Sequence, residues 1–311
     1  MLHLVKLAGL LFLLIVMIPE LPAATSTGTD DASFSLLKND SLPHLDIPER
    51  RADAMGATEF ISRVAGLSRE DREKAVIREI LSGNVPTFSR KLKPVQVREV
   101  IGGKRYGLVF FATLDYLALG SDEDYLYIPM TPLTAQYLAD QLDCILPTKK
   151  MVDTIHHQAG LKLAPQPIPP SDSMTTLPVF EQHTDSIKQQ LRQLGLDRSL
   201  DQIVAGHKKD IIISNEIYRS KRAAGSVVIY GWHSAENQPI QPVYNGHHAR
   251  YADYSHGTRL IARSAYLQEE VIPVDRLLQD QHLSVLLSDE GVIRKPTYPE
   301  TDLLLKDQKQ N

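Results

Sequence analysis

Apolar and polar positions along this chain fall into blocks with two different periods, and each period predicts an element. Val76, Ile77 and Ile80 form a helical stripe, so a helix is expected over Ser68–Leu81. Ser68 and Asp71 stand at capping-box spacing, with Asp in place of the usual Glu, and Gly83 is placed to end the helix. A shorter helix is expected over Ala54–Val64. From Lys93 to Met130 the period changes to that of strands. VQVREVI, the Gly102-Gly103 turn, KRYGLVFFATLDYLAL, the turn from Gly120 and YLYI read as an antiparallel meander. The acidic turn from Ser121 to Asp124 reads as a solvated loop, because it lacks the ligand count that calcium needs.

Thr131 and Pro132 open another helix, expected to run to about Leu142. A further helix follows Pro147 and Thr148 and turns Met151, Val152 and Ile155 inward. His156 and His157 fall at its end, where they suit the exposed carbonyls. LAPQPIPPSDS, within Leu163 to Pro178, has too many prolines for a ladder or a helix and reads as a connection. Helical character returns over Val179–Leu194, Asp210 to Ser214 reads as a buried strand, and Ile272–Asp280 as a helix.

These elements predict an α+β fold of antiparallel strands with packed helices. Its regions are a helical and antiparallel-strand part over 54–165 and an α+β part over 166–294. A polar tail over 295–311 is expected to be flexible, and 25–53, rich in Ser, Thr, Asp and Pro, to be a disordered leader. Residues 1–24 read as a cleavable signal peptide, with His3 and Lys6 before an apolar stretch from Leu7 to Ile18 and small residues at Ala23 and Ala24. That stretch is short of the roughly 20 residues that span a bilayer, so no transmembrane anchor is expected after processing. The expected location is secreted or periplasmic.

Composition narrows the function classes. A net charge of −4 leaves no basic field, so nucleic acid is not an expected partner. The one cysteine, Cys144, excludes an intramolecular disulfide, and 42% hydrophobic residues over 311 can supply the core instead.

The densest chemistry lies between Val227 and Ala262, where a His/Tyr-rich loop is expected between two C-terminal strands, Val227 to Ile229 and Thr258 to Ala262. His256, Asp253 and His233 are the catalytic candidates, because a histidine beside a carboxylate can move protons near neutral pH. Asp253 and His256 lie on opposite faces of an extended strand and meet only if the backbone turns. A satisfied buried turn is the competing reading. His233, His248, Asp253 and His256 are also candidate ligands for a divalent metal such as zinc, although their spacing matches no metal motif. Tyr230, Trp232 and Tyr251 offer rings for a sugar or flat ligand, and Arg259, His207 and Lys209 offer charge.

His207 and Lys209 have the HxK spacing that resembles the phospholipase D superfamily motif, but Ser214 stands where its aspartate would fall and no second copy exists. Asp143-Cys144 resembles the nucleophile motif of papain-related cell-wall peptidases, and the following Ile145-Leu146-Pro147 departs from it. Cys144 ends an apolar helical run and is expected to be buried. The leading expectation is a secreted hydrolase of an extracytoplasmic polymer, cell-wall peptide or glycan. The alternatives are a non-catalytic secreted protein that binds glycan or peptide, and a structural envelope protein.

Overall fold

The computed structural model describes residues 44–196, 201–219, 225–234, 236–268 and 270–299. The signal-peptide expectation lies outside the described residues. The chain folds as α+β. Helices α1 (Ala57–Val64) and α2 (Arg69–Leu81) come first. The Ser68 hydroxyl accepts from the Asp71 N–H, so the cap read from the sequence forms. Strands β1 (Leu92–Ile101) and β2 (Lys104–Thr113) follow as a hairpin through Gly102 and Gly103. β3 (Ala118–Gly120) and β4 (Tyr125–Tyr127) then form a separate two-stranded ribbon, so the meander divides into two hairpins. Asp122 and Asp124 of the intervening turn are tied to Thr87 and Thr58.

Helix α3 (Pro132–Gln141) is capped by Thr131 and leads to β5 (Cys144–Ile145). Helix α4 (Lys149–Gln158) is capped by Thr148 and leads to β6 (Leu161–Lys162). Helix α5 (Leu177–Gln193) follows the proline-rich connection. The later strands are β7 (Val204–Ala205), β8 (Lys209–Ile211), β9 (Ile229–His233), β10 (Pro239–Tyr244), β11 (His256–Gly257), β12 (Ile261–Ala262), β13 (Ser264–Leu267) and β14 (Glu270–Pro273). Helix α6 (Val274–Gln279) begins two residues later than expected, because Ile272 and Pro273 complete β14.

The larger sheet runs β14-β13-β2-β12-β5, with β1 also on β2, and all its pairings are antiparallel. It draws on both regions distinguished in the sequence, since β2 lies between β1 and the later β12 and β13. The smaller sheet runs β10-β9-β8-β11, with β8 and β11 parallel. Helix α4 packs against β1 of the larger sheet and β9 of the smaller.

Both expected flexible flanks need correction at their inner ends. Leu45 and Ile47 join the core, and the Leu45 N–H donates to the Arg90 carbonyl, so the packed chain includes residues 44–53. Tyr298 is fully buried with its hydroxyl on the Ile212 carbonyl. Burial of Leu45, Ile47 and Tyr298 offsets part of the entropy lost in ordering the segments that carry them. No helix among the described residues is long and apolar enough to cross a membrane.

Candidate functional site

Strand β9 does not run straight. Gly231 has φ of 107° and Trp232 has φ of 55°, so two successive residues occupy the left-handed half of the backbone map. In a regular strand Tyr230 and His233 would point to opposite faces. The kink brings them to one carboxylate. The Tyr230 hydroxyl donates to Asp153 Oδ1 at 2.7 Å, and His233 Nε2 lies 3.0 Å from the same oxygen. Lys149, one turn earlier on α4, donates to Asp153 Oδ2 at 2.8 Å. Burial acts to raise the Asp153 carboxyl, but hydrogen bonds from His233, Lys149 and Tyr230 outweigh it and hold it at about 2.

His233 also stacks on His156, ring centres 4.2 Å apart and planes 16° from parallel. Burial first, then the neighbouring His233 and Lys162, push His156 down to about 4, so it is neutral near neutral pH. His156 therefore serves as packing for His233 and does not cap the helix, which corrects the sequence expectation. His233 is 3% exposed and lines a cavity of about 290 Å³ with Lys162, Leu163, Gln190, Gln193 and Ser234. The Ser234 Oγ in that wall has no hydrogen-bond partner among the described residues.

The other catalytic candidates sit differently. The backbone does turn at Asp253, where the His256 N–H donates to the Asp253 carbonyl. Asp253 Oδ1 accepts from the Ser255 N–H at 2.8 Å and hydroxyl at 2.6 Å, and Oδ2 from the Tyr251 hydroxyl at 3.1 Å. His256 Nε2 stays 3.8 Å from Oδ2, too far for a hydrogen bond. His256 is 1% exposed, and burial pushes it down to about 4. Asp253 is satisfied within the turn, while both ring nitrogens of His256 are buried with no hydrogen-bond partner among the described residues. The turn that would let Asp253 and His256 meet does form, and the two side chains still do not hydrogen-bond.

The expected metal ligands do not converge either. His233 is engaged with Asp153, and His248 is exposed with its Nδ1 accepting from the Arg250 N–H. Among the described residues no group of three or more His, Cys, Asp or Glu side chains is placed to hold a metal ion.

Of the expected substrate-binding residues, Arg259 and His207 are internal. Arg259 donates to the carbonyls of Thr113 and Val204 and lies over the Tyr116 ring, while His207 Nε2 is 3.2 Å from Asp115 Oδ1. A buried charge must find partners within the core, and Arg259 has done so. Trp232 is buried with its indole N–H on the His207 carbonyl, and Lys209 lays its ammonium 4.7 Å over the Trp232 ring. Tyr251 stacks on His247 at 4.0 Å.

Cys144 is buried, with its thiol on the Leu142 carbonyl; burial and the charge of Asp143 push it up to about 12. A thiol held protonated at neutral pH is not a nucleophile.

Sequence reading missed Asp153, which lies 80 residues before its partner His233. The one local sign was the spacing of Lys149, Asp153 and His156, which puts polar groups on neighbouring turns of a single helix. No family model matches this chain, and no curated protein or solved structure does.

Proposed function

We propose that this protein is an exported hydrolase of an extracytoplasmic peptide or glycan, with His233 as its general base and Asp153 as the carboxylate that orients it. The observation that carries this reading is that His233 combines a hydrogen-bonded carboxylate with a place in a cavity wall. With Nε2 on Asp153, Nδ1 is the nitrogen left to take a proton from an attacking water, and Asp153 stabilises the imidazolium that forms. Tyr230 and Lys149 keep Asp153 ionised and fixed. Lys162, Gln190, Gln193 and Ser234 supply polar contacts for the bound chain. The composition of residues 1–24 supports export.

Turnover of cell-wall peptide and glycan fragments by the mature protein tests this. His233→Ala and Asp153→Asn are each expected to lower kcat by about 10²- to 10⁴-fold in protein that circular dichroism shows to be folded. Wild-type turnover in both variants would overturn the assignment.

A non-catalytic binding protein is the second reading. The aromatic run of exposed Tyr244, then His247 and Tyr251, supports it as a surface on which sugar rings could stack. Saturable glycan binding that survives His233→Ala, with no turnover by wild type, is its expected signature.

A further inference from the structure

We propose that Asp210 is a concealed second carboxyl of the His233 centre, a positioning residue coupled to the imidazole across the space that Gly231 leaves empty. This rests on reading His233 and Asp153 as the working pair. In the register of β8 against β9, Lys209 lies opposite Gly231 and Asp210 opposite Tyr230, so Asp210 comes up beside the kink. A Cβ at position 231 would stand 3.5 Å from Asp210 Oδ2, 3.5 Å from His233 Cε1 and 3.4 Å from Val152 Cγ1. The carboxyl and the ring edge therefore flank one vacant methyl-sized position. A carboxylate on that side of the ring acts on it electrostatically across the gap.

The bonding of Asp210 fits that role better than a purely structural one. Oδ2 accepts from the Tyr116 hydroxyl at 2.8 Å. Among the described residues Oδ1 has no hydrogen-bond partner, and Arg259 Nε is 3.8 Å away. A fully buried carboxyl with one oxygen unfilled is an expensive way to hold a core together. The charged and titratable groups around it are Tyr116 and Arg259 from the chain after β2 and after β11, His233 from β9, and Asp153 from α4. Around His233 they are Asp153, Tyr230 and His156, with Lys162 of β6 in the same cavity wall.

Burial pushes the Asp210 carboxyl up to about 6, against the opposing pull of Arg259 and Tyr116. Asp153, on the other side of the same imidazole, is held at about 2. Two carboxyls with proton affinities set this far apart divide the work: Asp153 is a fixed anion, and Asp210 changes charge within the pH range where histidine chemistry operates. When Asp210 ionises, its charge acts on the His233 ring across the Gly231 gap.

The test is NMR on the mature protein with ¹³C-labelled aspartate. The Asp210 carboxyl carbon is expected to titrate near pH 6, and the His233 Cε1–H resonance to show an inflection over the same interval. In Asp210→Asn that shared inflection disappears, with the circular dichroism spectrum unchanged. An Asp210 carbon that stays flat between about pH 5 and 7 overturns the proposal, as does a His233 curve unaltered in Asp210→Asn. The carbon titration is read in wild type, so it holds even where the variant does not fold. Neither readout requires turnover. Coupling without hydrolysis of any fragment would defeat the hydrolase reading alone, and hydrolysis without coupling would defeat this one alone.

Discussion

His156 and His256 are both pushed down to about 4 by burial, against 6.5 for an exposed histidine, and burial pushes His183 lower still, which sets the acid sensitivity of the fold. A histidine whose folded pKa is depressed contributes stability that is present above 6.5 and lost as pH falls through 4. Asp210 acts in the opposite sense. Its carboxyl is raised to about 6, so its ionisation penalty fades as pH falls from 6 toward 3.8. Asp115, Asp153 and Asp253 are lowered, and their contributions persist until pH drops below about 4. Three histidines outweigh one carboxyl, so stability is expected to fall by about 4 kcal/mol between pH 7 and 5. Urea titrations at the two pH values would measure this, and His256→Gln should remove roughly half of the fall. A rise in stability toward pH 5 would contradict the assignment of neutral buried histidines. Cys144 is the contrasting case. Cys144→Ala should lower stability by about 1 kcal/mol through lost packing and leave turnover of any accepted fragment at the wild-type rate.

Helix α4 links the centre to both sheets, and its start is well determined. Thr148 accepts from the Met151 N–H and donates its own hydroxyl to the Leu287 carbonyl, so one side chain caps the helix and ties it to the C-terminal segment. Thr148→Ala is expected to lower stability by about 1–2 kcal/mol. Because Asp153 rides on the second turn of this helix, the variant should also slow turnover, whereas Ser68→Ala on the distant α2 should lower stability alone. Comparing the two by chemical denaturation and by rate separates helix stability from site geometry. Caps of this kind were legible in the sequence, since Ser68, Thr131 and Thr148 act on N–H groups two or three residues away. The kink in β9 was not. Nothing in Tyr230-Gly231-Trp232-His233 shows that a tryptophan will be held at positive φ, because contacts from β8 and the Trp232–His207 hydrogen bond impose it. Without the kink, alternation assigns Tyr230 and His233 to opposite faces and hides their common carboxylate.

The assembled molecule shows why local reading could not pair His233 with its carboxylate. His233, Asp253 and His256 were singled out by density along the chain, but Asp153 and Asp210 join His233 through α4 and β8, and such pairings depend on topology. The same topology predicts how the protein unfolds. Strand β2 is paired with β1 on one edge and with β12 and β13 on the other, so residues 54–165 cannot complete their sheet alone. Arg259 reinforces the join from within, reaching the Thr113 carbonyl of β2 and the Val204 carbonyl of β7 beside Asp210. An edge left open and a buried cation removed are both costly, so the two sequence regions should unfold as one cooperative unit. Trp232, the only tryptophan, lies in the later region, while β1 and β2 supply much of the far-ultraviolet strand signal from the earlier one. Fluorescence and circular dichroism are therefore expected to give one superimposable urea transition. Arg259→Met should shift that transition by about 3–5 kcal/mol for both probes together, since it leaves Asp210 buried without its cation. Two separate midpoints, or a fragment of residues 44–165 that folds alone, would show the regions to be independent domains.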